Sequence, residues 1–541
     1  MRQHETDQLD PAPTLSRWSL RNFLAAAMLF MASAEVVHWQ NAHLCILWDA
    51  SYTLDTSFRI SLGQMPYRDF PLVHSPLTFL IQAAIMRITG CVFFHHVLYA
   101  AIVNGLATVL AWRITLHTLR PRLDAAWLVS LLFAAPIIPL GVYSILPFPS
   151  YDCDTAFSIL IVLLLLQRLP ENSFAEAKLC LAYFFTGAVL PLPLFFKQNI
   201  GLPFLGAAFA LIPLLLIVRR LHPNSTLRAS PTALTVLLAG ALTTLTSATL
   251  LLHFTAGLRN YLYWTIQFAS ERRLPGLQPM LAIYAEPSLF WSLPCIAAAL
   301  SLLHTRFAKT LWVRVTALFL LCAPFFWTLI SFALSNDPED RAATLLALWP
   351  LMLILSATLS LWNFYRAPCL RNCIPLLILA AIHGTFLSQQ LWGSTYAVWP
   401  LLVLLIAEMI DFLTSIEAKL AAPQRLFIAP SLAAAIAATL LICGWLYTAS
   451  EERLSYANLP DGPALHSSIP ALKGMAVTGP YLPEFEELLR FSVHEIPLSD
   501  GLILIPGEDP FYFATGRTPQ FPVLLFDNAT DSLSTPALLI A

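Results

Sequence analysis

Trp48-Asp49-Ala50-Ser51-Tyr52-Thr53-Leu54-Asp55, then Gly63-Gln64-Met65-Pro66-Tyr67-Arg68-Asp69-Phe70, then His74-Ser75-Pro76-Leu77, stand between the first two hydrophobic spans of the chain. Three carboxylates, an arginine, a histidine and two tyrosines sit here among strongly apolar sequence. Ionisable groups beside a membrane are costly unless they face water, a ligand or one another. We read the stretch as the candidate active-site loop of a membrane protein. Asp49, Tyr52 and Thr53 have helical spacing, so one face of a short helix presents them together. Gly63 and Pro66 then break that helix and start a turn that carries Asp69.

Working outward, the chain is 57% hydrophobic and only 11% charged, with a mean hydropathy of +0.69. Soluble domains carry about 25% charged residues, so most of this chain belongs in lipid. A net charge of -2 points to no particular partner, and nothing suggests nucleic acid. Forty prolines against 19 glycines fit broken membrane helices and short loops. The sequence has no P-loop, no Rossmann glycine signature and no HExxH, and hence no visible equipment for nucleotide-driven pumping. Its nine cysteines show neither zinc spacing nor a disulfide framework. Cys45 and Cys153 both fall near the candidate loops, and a disulfide between them is one alternative.

Residues 1–18 are polar and read as a disordered cytoplasmic N-terminus. Ala32-Ser33-Ala34 resembles a signal-peptidase site, but the long, partly acidic leader favours an uncleaved anchor. Apolar windows of about 20 residues mark a first span at Phe23–Val37 and others near 92–113, 125–146, 155–168, 179–196, 200–218, 231–254, 287–303, 313–334, 342–364, 374–390, 397–413 and 428–448. The expectation is an all-α polytopic membrane protein of about thirteen spans over residues 19–448, with a large first outer loop at 38–91. With the N-terminus in the cytoplasm, 18 of the 30 Lys and Arg fall on inner segments, as the positive-inside rule requires. An odd span number places residues 449–541 outside. In that tail, Leu502–Ile505 and Val523–Phe526 read as short buried strands and Pro483–Phe491 as a short helix, together a small extracytoplasmic α/β domain. Its apolar end, Pro536–Ala541, looks like the start of a helix, which is how an incomplete tail would read.

Further candidates lie at the mouths of other spans. Asp152 and Asp154 of Ser150-Tyr151-Asp152-Cys153-Asp154 either join Asp49 around a substrate or cap the following helix, where acids are favoured. Lys197, alone between two apolar runs, either binds a phosphate as a point charge or snorkels to the interface. Glu271-Arg272-Arg273, amid Tyr261, Tyr263, Trp264 and Tyr284, either meets a phosphate or belongs to an interfacial amphipathic helix. The carboxylates of the first loop can act as a general base or hold a divalent cation. The plain alternative is a solvated interfacial loop with aromatic anchors.

The pattern Asp49, Gly63, Pro66-Tyr67-Arg68-Asp69-Phe70, Pro76-Leu77 resembles the signature of membrane-embedded C-type glycosyltransferases (the GT-C superfamily), in particular bacterial protein O-mannosyltransferase-like and lipid A aminoarabinose transferase-like enzymes. Such enzymes move a sugar from a polyprenyl-phosphate carrier to an acceptor on the outer face of the bacterial cytoplasmic (inner) membrane. The layout of spans and outer tail, with Pro510–Arg517, is similar to that branch. By position, the resemblance implies that Asp49 acts next to the transferred sugar, with Asp152 or Asp154 as the acid of the second outer loop. Lys197 with Arg272 or Arg273 would meet the carrier phosphate, and Tyr52, Tyr67, Arg68, Asp69 and His74 would complete the site. Two positions depart from the pattern. Ala50 stands where a Glu often follows the acid, and His74-Ser75-Pro76 stands for Lys-Pro-Pro, so a protonated His74 would partly replace a phosphate-binding lysine. The expected partners are a lipid-linked sugar donor, membrane lipid and a glycan, lipid or protein acceptor. Mannose, arabinose, glucose and aminoarabinose donors all fit these residues. Two other readings are a lipid-linked sugar flippase without transfer chemistry and a catalytically dead scaffold.

Overall fold

The computed structural model describes residues 19–43, 47–169, 177–221, 231–273, 280–335, 338–389, 396–419, 428–449, 463–505, 507 and 509–524. The expected disordered N-terminus, Cys45 and the last apolar stretch lie outside them. In chain order the helices are α1 (Leu20–His43), α2 (Leu47–Ser61), α3 (Leu77–Thr89), α4 (Phe93–Leu119), α5 (Ala126–Ala134), α6 (Tyr151–Arg168), α7 (Ala177–Val189), α8 (Leu192–Phe196), α9 (Gln198–Leu221), α10 (Pro231–Thr255), α11 (Leu258–Leu262) and α12 (Ala269–Arg273). There follow α13 (Leu289–His304), α14 (Leu311–Leu334), α15 (Pro338–Leu346), α16 (Leu348–Arg366), α17 (Leu370–Gln389), α18 (Trp399–Lys419) and α19 (Ile428–Thr448).

Each of the thirteen apolar windows contains a helix, but among the described residues nine are long and apolar enough to cross a membrane. The other four fall short for identifiable reasons. α5 and α13 have only 9 and 16 residues. α6 carries Asp152, Asp154 and Arg168, and α18 carries Glu408, Asp411, Glu417 and Lys419. The chain is a multi-pass helical membrane protein, and thirteen crossings remain an expectation. The window at 125–146 is corrected in its second half, where the helix gives way after Ile137 to buried turns. Pro136, Pro139, Gly141, Pro147 and Pro149 withhold the donors or the backbone angles that a helix needs. Asn104 of α4 satisfies this irregular segment instead. It donates to Ser33 O and Ser144 Oγ and accepts from the Tyr143 N–H at 2.9 Å.

Two further features position the candidate loops. α7 and α10 cross at Gly187 and Gly240, where a Cβ on either would strike the backbone of the other helix, at Leu237 O and Phe184 O respectively. The tail is the other. It contains β1 (Ala464–His466) paired antiparallel with β2 (Ala476–Thr478), α20 (Tyr481–Glu495) and α21 (Phe511–Thr515). The expected helix at 483–491 is therefore present and longer. The expected strand at Leu502–Ile505 is not a strand. Its alternation is real, with Leu502 and Leu504 packed against a buried cluster and Ile503 and Ile505 outward, but no strand among the described residues pairs with it. Val523 and Leu524 are likewise irregular, and residues 525–526 lie outside the described residues. The cluster that they pack on joins Leu472, Val477, Leu482, Phe485 and Phe511–Phe513 of the tail to Leu54, Phe58, Met86, Phe93 and Val97 of α2, α3 and α4. Tail and first loop share one core.

Candidate functional site

α2 is the helix expected at Asp49, Tyr52 and Thr53. It ends as its sequence dictates: Gly63 takes a φ of 97°, its N–H bonds Ile60 O, and the Gln64 N–H bonds Arg59 O, a C-terminal arrangement that needs a left-handed residue. The turn that follows holds itself together. Asp69 Oδ2 accepts the Met65 N–H at 2.7 Å, and the Asp69 N–H returns to Met65 O. Tyr67 adopts a φ of 68°, uncommon for a bulky residue. Its ring stands edge-on to Tyr261 at 5.2 Å, and its hydroxyl donates to His74 O at 2.6 Å. Arg68 and Asp69 pair with each other on the exposed side of the turn at 2.8 Å. The Arg68 hydrogen bond pulls the Asp69 carboxyl down to about 2.

His74 is buried, and its ring stacks on Tyr151 at 4.0 Å, with Tyr52 edge-on at 5.9 Å. Gln198 bolts this segment in place. Its Nε2 donates to Val73 O and Thr265 O, and its Oε1 accepts the Ser75 N–H. Next to Gln198, Lys197 occupies the break between α8 and α9 with an extended backbone, which turns its side chain out of both helices. Its ammonium lies 2.5 Å from Asp152 Oδ1 and 5.0 Å from the centre of the Tyr151 ring. Lys197 does not snorkel: both members of the pair are largely buried, with side chains 8% and 14% exposed.

Asp152 and Asp154 occupy the first turn of α6, behind the N-cap Ser150. The helix-cap reading thus holds, but each carboxylate also has a second use. Asp154, 1% exposed, accepts from Tyr99 and Tyr143 at Oδ1 (2.8 and 2.7 Å) and from Thr78 at Oδ2 (2.7 Å). Three hydroxyl donors leave it little spare acceptor capacity, so it ties α3, α4 and the 138–150 turns to α6. Asp152, by contrast, has the lysine.

On its other side α2 grips the tail. Asp55 accepts the N–H of Tyr512 at 3.3 Å and of Phe513 at 2.7 Å. Burial pushes its carboxyl up to about 8 despite these two bonds. Arg59 donates to Phe521 O and Pro522 O and lies over the Phe70 ring at 4.5 Å. Burial lowers the guanidinium to about 10. Between Tyr52, Thr56, Phe70, Pro71 and Val73 on one side and Pro522–Leu524 on the other is a cavity of about 20 Å³.

The structure thus gathers Tyr52, His74, Asp152 and Lys197 around Tyr151, with Tyr67 and Asp154 supporting them, and holds Arg68 and Asp69 on the exposed turn. Asp49 lies in α2 one turn before Tyr52; its side chain lies outside the described residues, as do those of Arg272 and Arg273 in α12. Thr265, which Gln198 holds, precedes those arginines on the same helical run. Among the described residues no three His, Cys, Asp or Glu gather as a cation site. Cys153 is buried in the main core, and its suggested partner Cys45 is outside the described residues. The sequence reading missed Tyr151, Thr78, Tyr99, Tyr143 and Gln198 as site members. Tyr151 and Gln198 adjoin candidates in the chain, which is a usable signal; the others have none, because their partners lie far off in sequence.

No protein-family model and no curated protein matches the chain. Among solved structures it is similar to the oligosaccharyltransferase of Archaeoglobus fulgidus in complex with zinc and sulfate, at 13% identity and a TM-score of 0.49, over 95% of this chain and 59% of that one. It is also similar to ArnT of Cupriavidus metallidurans bound to undecaprenyl phosphate, at 12% identity and a TM-score of 0.33, over 75% of this chain and 84% of that one. The oligosaccharyltransferase AglB of Archaeoglobus fulgidus, in complex with an inhibitory peptide and a dolichol-phosphate, aligns at 11% identity and a TM-score of 0.46, over 96% of this chain and 61% of that one. The chain thus spans about 60% of the length of the oligosaccharyltransferase chains that it matches. Likeness this distant transfers neither substrate nor residue roles to this chain.

Proposed function

We propose that this chain is a membrane-embedded glycosyltransferase of the C type. It takes a sugar from a polyprenyl-phosphate carrier and passes it to a hydroxyl acceptor at the outer face of a bacterial cytoplasmic membrane, with its N-terminus in the cytoplasm. The observation that carries the reading is the buried Lys197–Asp152 pair beside the His74–Tyr151 stack, with Tyr52 edge-on to His74 and one helical turn after Asp49 in α2. A buried ion pair is weak support for stability, so its retention here calls for a functional account.

In this account the carrier phosphate enters beside Tyr151 and takes the Lys197 ammonium from Asp152, with His74, Arg272 or Arg273 adding positive charge. The acceptor oxygen attacks the anomeric carbon and its proton passes to Asp49. The new glycosidic C–O bond forms as the bond from that carbon to the phosphate oxygen breaks, and the electron pair leaves with the carrier phosphate. A single displacement inverts the anomeric centre. The leaving group is already a phosphate, so charge stabilisation contributes more than its protonation.

The test is a transfer assay in nanodiscs with a panel of radiolabelled polyprenyl-phosphate sugars. Wild type should release carrier phosphate, whereas Asp49→Asn and Lys197→Met should lose at least about 100-fold, the range for a catalytic acid–base or charge-stabilising group. Full activity in both variants would sink the assignment. Movement of intact lipid-linked sugar between leaflets, with no release, would replace it with a flippase.

A further inference from the structure

A cleft far along the chain from this cluster is lined by α13, α14 and α16. It consists of two chambers. One, of about 560 Å³, is bordered by Glu286, Ser288, Ser292, Thr328, Ser331 and Thr344 and by two tryptophans. The other, of about 520 Å³, is almost wholly apolar and also touches α18 and α19. The chambers adjoin, since Ser292 and Leu293, Pro324 and Phe325, and Leu351 and Met352 are consecutive pairs with one member in each. A single stripe runs down α13 through both: its N-cap Ser288, then Ser292, Ile296 and Leu300, are four residues apart and share one face. From Ser288 to Leu300 is about 18 Å of helix, more than half of a hydrocarbon core of about 30 Å.

The polarity of the stripe changes along its length, from hydroxyls to hydrocarbon. The polar end lies at the N-terminal end of α13 and the C-terminal end of α14. Trp291 and Trp327 stand edge-on there, 6.2 Å apart, where interfacial tryptophans are favoured. The Ser292 hydroxyl is 1% exposed and, among the described residues, has no hydrogen-bond partner. A buried hydroxyl left unpaired is costly and marks a place where a ligand oxygen can bond. Among the described residues Glu286 is the only charged one lining either chamber. At the rim, Arg341 donates its Nε–H to Ser335 O at 3.0 Å.

We propose that this cleft binds a second lipid, one whose head is an uncharged sugar. Its hydroxyls bond Ser292 and the neighbouring Ser and Thr side chains, its ring lies against the tryptophan pair, and its acyl chain fills the apolar chamber. A phosphate head would meet the Glu286 carboxylate, which repels it, among otherwise uncharged described lining residues. The proposal does not rest on the transfer reading, and its test reads binding alone. Native mass spectrometry of the purified full chain would compare dihexosyl diacylglycerol, phosphatidylethanolamine and phosphatidylglycerol of matched chains. The dihexosyl lipid should be retained in preference. Ser292→Ala, which removes an unpaired hydroxyl and so spares the fold, should weaken retention about fivefold, the worth of one hydrogen bond. Ala297→Phe, which fills the apolar chamber, should weaken it more. Equal retention of all three lipids, or no effect of either variant, would mean annular lipid only. Preference for phosphatidylethanolamine or phosphatidylglycerol would overturn the uncharged-sugar assignment.

Discussion

At Lys197 and Asp152 opposite charges meet where water has little access. Removing one partner strands the other, which costs about 3–5 kcal/mol, whereas replacing both with apolar residues of similar size is often neutral. Lys197→Met alone should therefore lower the melting temperature in detergent, and Asp152→Leu with Lys197→Met should largely restore it while carrier-phosphate release stays absent. Restored transfer in the double variant would make the pair structural. Asp154 behaves differently. Asp154→Asn turns an amide N–H toward hydroxyls that donate to the acid, so a loss of about 1–3 kcal/mol is expected, read as thermal stability. Asp55 adds a pH dependence. Its folded carboxyl holds a proton up to about pH 8, against an ordinary 3.8. A raised folded value means that its contribution is complete below about pH 4 and is lost as the pH climbs toward 8. Amide protection at Tyr512 and Phe513 should fall over that window in wild type and stay level in Asp55→Asn, which remains neutral.

Among the elements, the crossing of α7 and α10 depends on two glycines that let backbones touch. Gly240→Val should destabilise by about 1–3 kcal/mol through overpacking. Gly206→Ala, where a Cβ meets nothing within 4 Å, should stabilise slightly by removing helix-interior glycine. Equal melting temperatures for the two variants would show that the crossing has room to spread. The break between α8 and α9 works in the same way. Lys197 can reach Asp152 because the helix stops for one residue there, and Gly201 lets α9 lie against the backbone of Leu194.

Over the whole molecule, the tail completes the first loop's core. A chain ending at residue 449 would bare Leu54, Phe58, Phe93 and Val97, an apolar patch at the membrane surface. Such a truncation should keep its apolar helices in the bilayer, yet become sensitive to protease within 47–92 and release no carrier phosphate. A protease-resistant loop in the truncated protein would show that α2 and α3 stand without the tail. Both Asp55 and Arg59 hold the tail from α2, the helix that also bears Asp49 and Tyr52. The tail and the first-loop candidates are thus attached to one helix.

By itself the sequence determined the helical, membrane-embedded character of this protein, since apolar runs of that length have no other favourable place. It also determined the helix–turn of the first loop, because Gly63 and Pro66 end α2 by local geometry, and the helix of the tail, because its amphipathic period is local. Only the tertiary structure decided which charges meet. Asp152 faces Lys197, Asp154 faces three hydroxyls and Asp55 faces the tail. These partners are 45 residues apart in the first case and 458 in the last, and no local period encodes such pairings. The same reason explains the tail strands. Alternation at 502–505 marks burial on one side, and whether that becomes a strand depends on a pairing partner that the fold supplies at 464–466 and 476–478 instead.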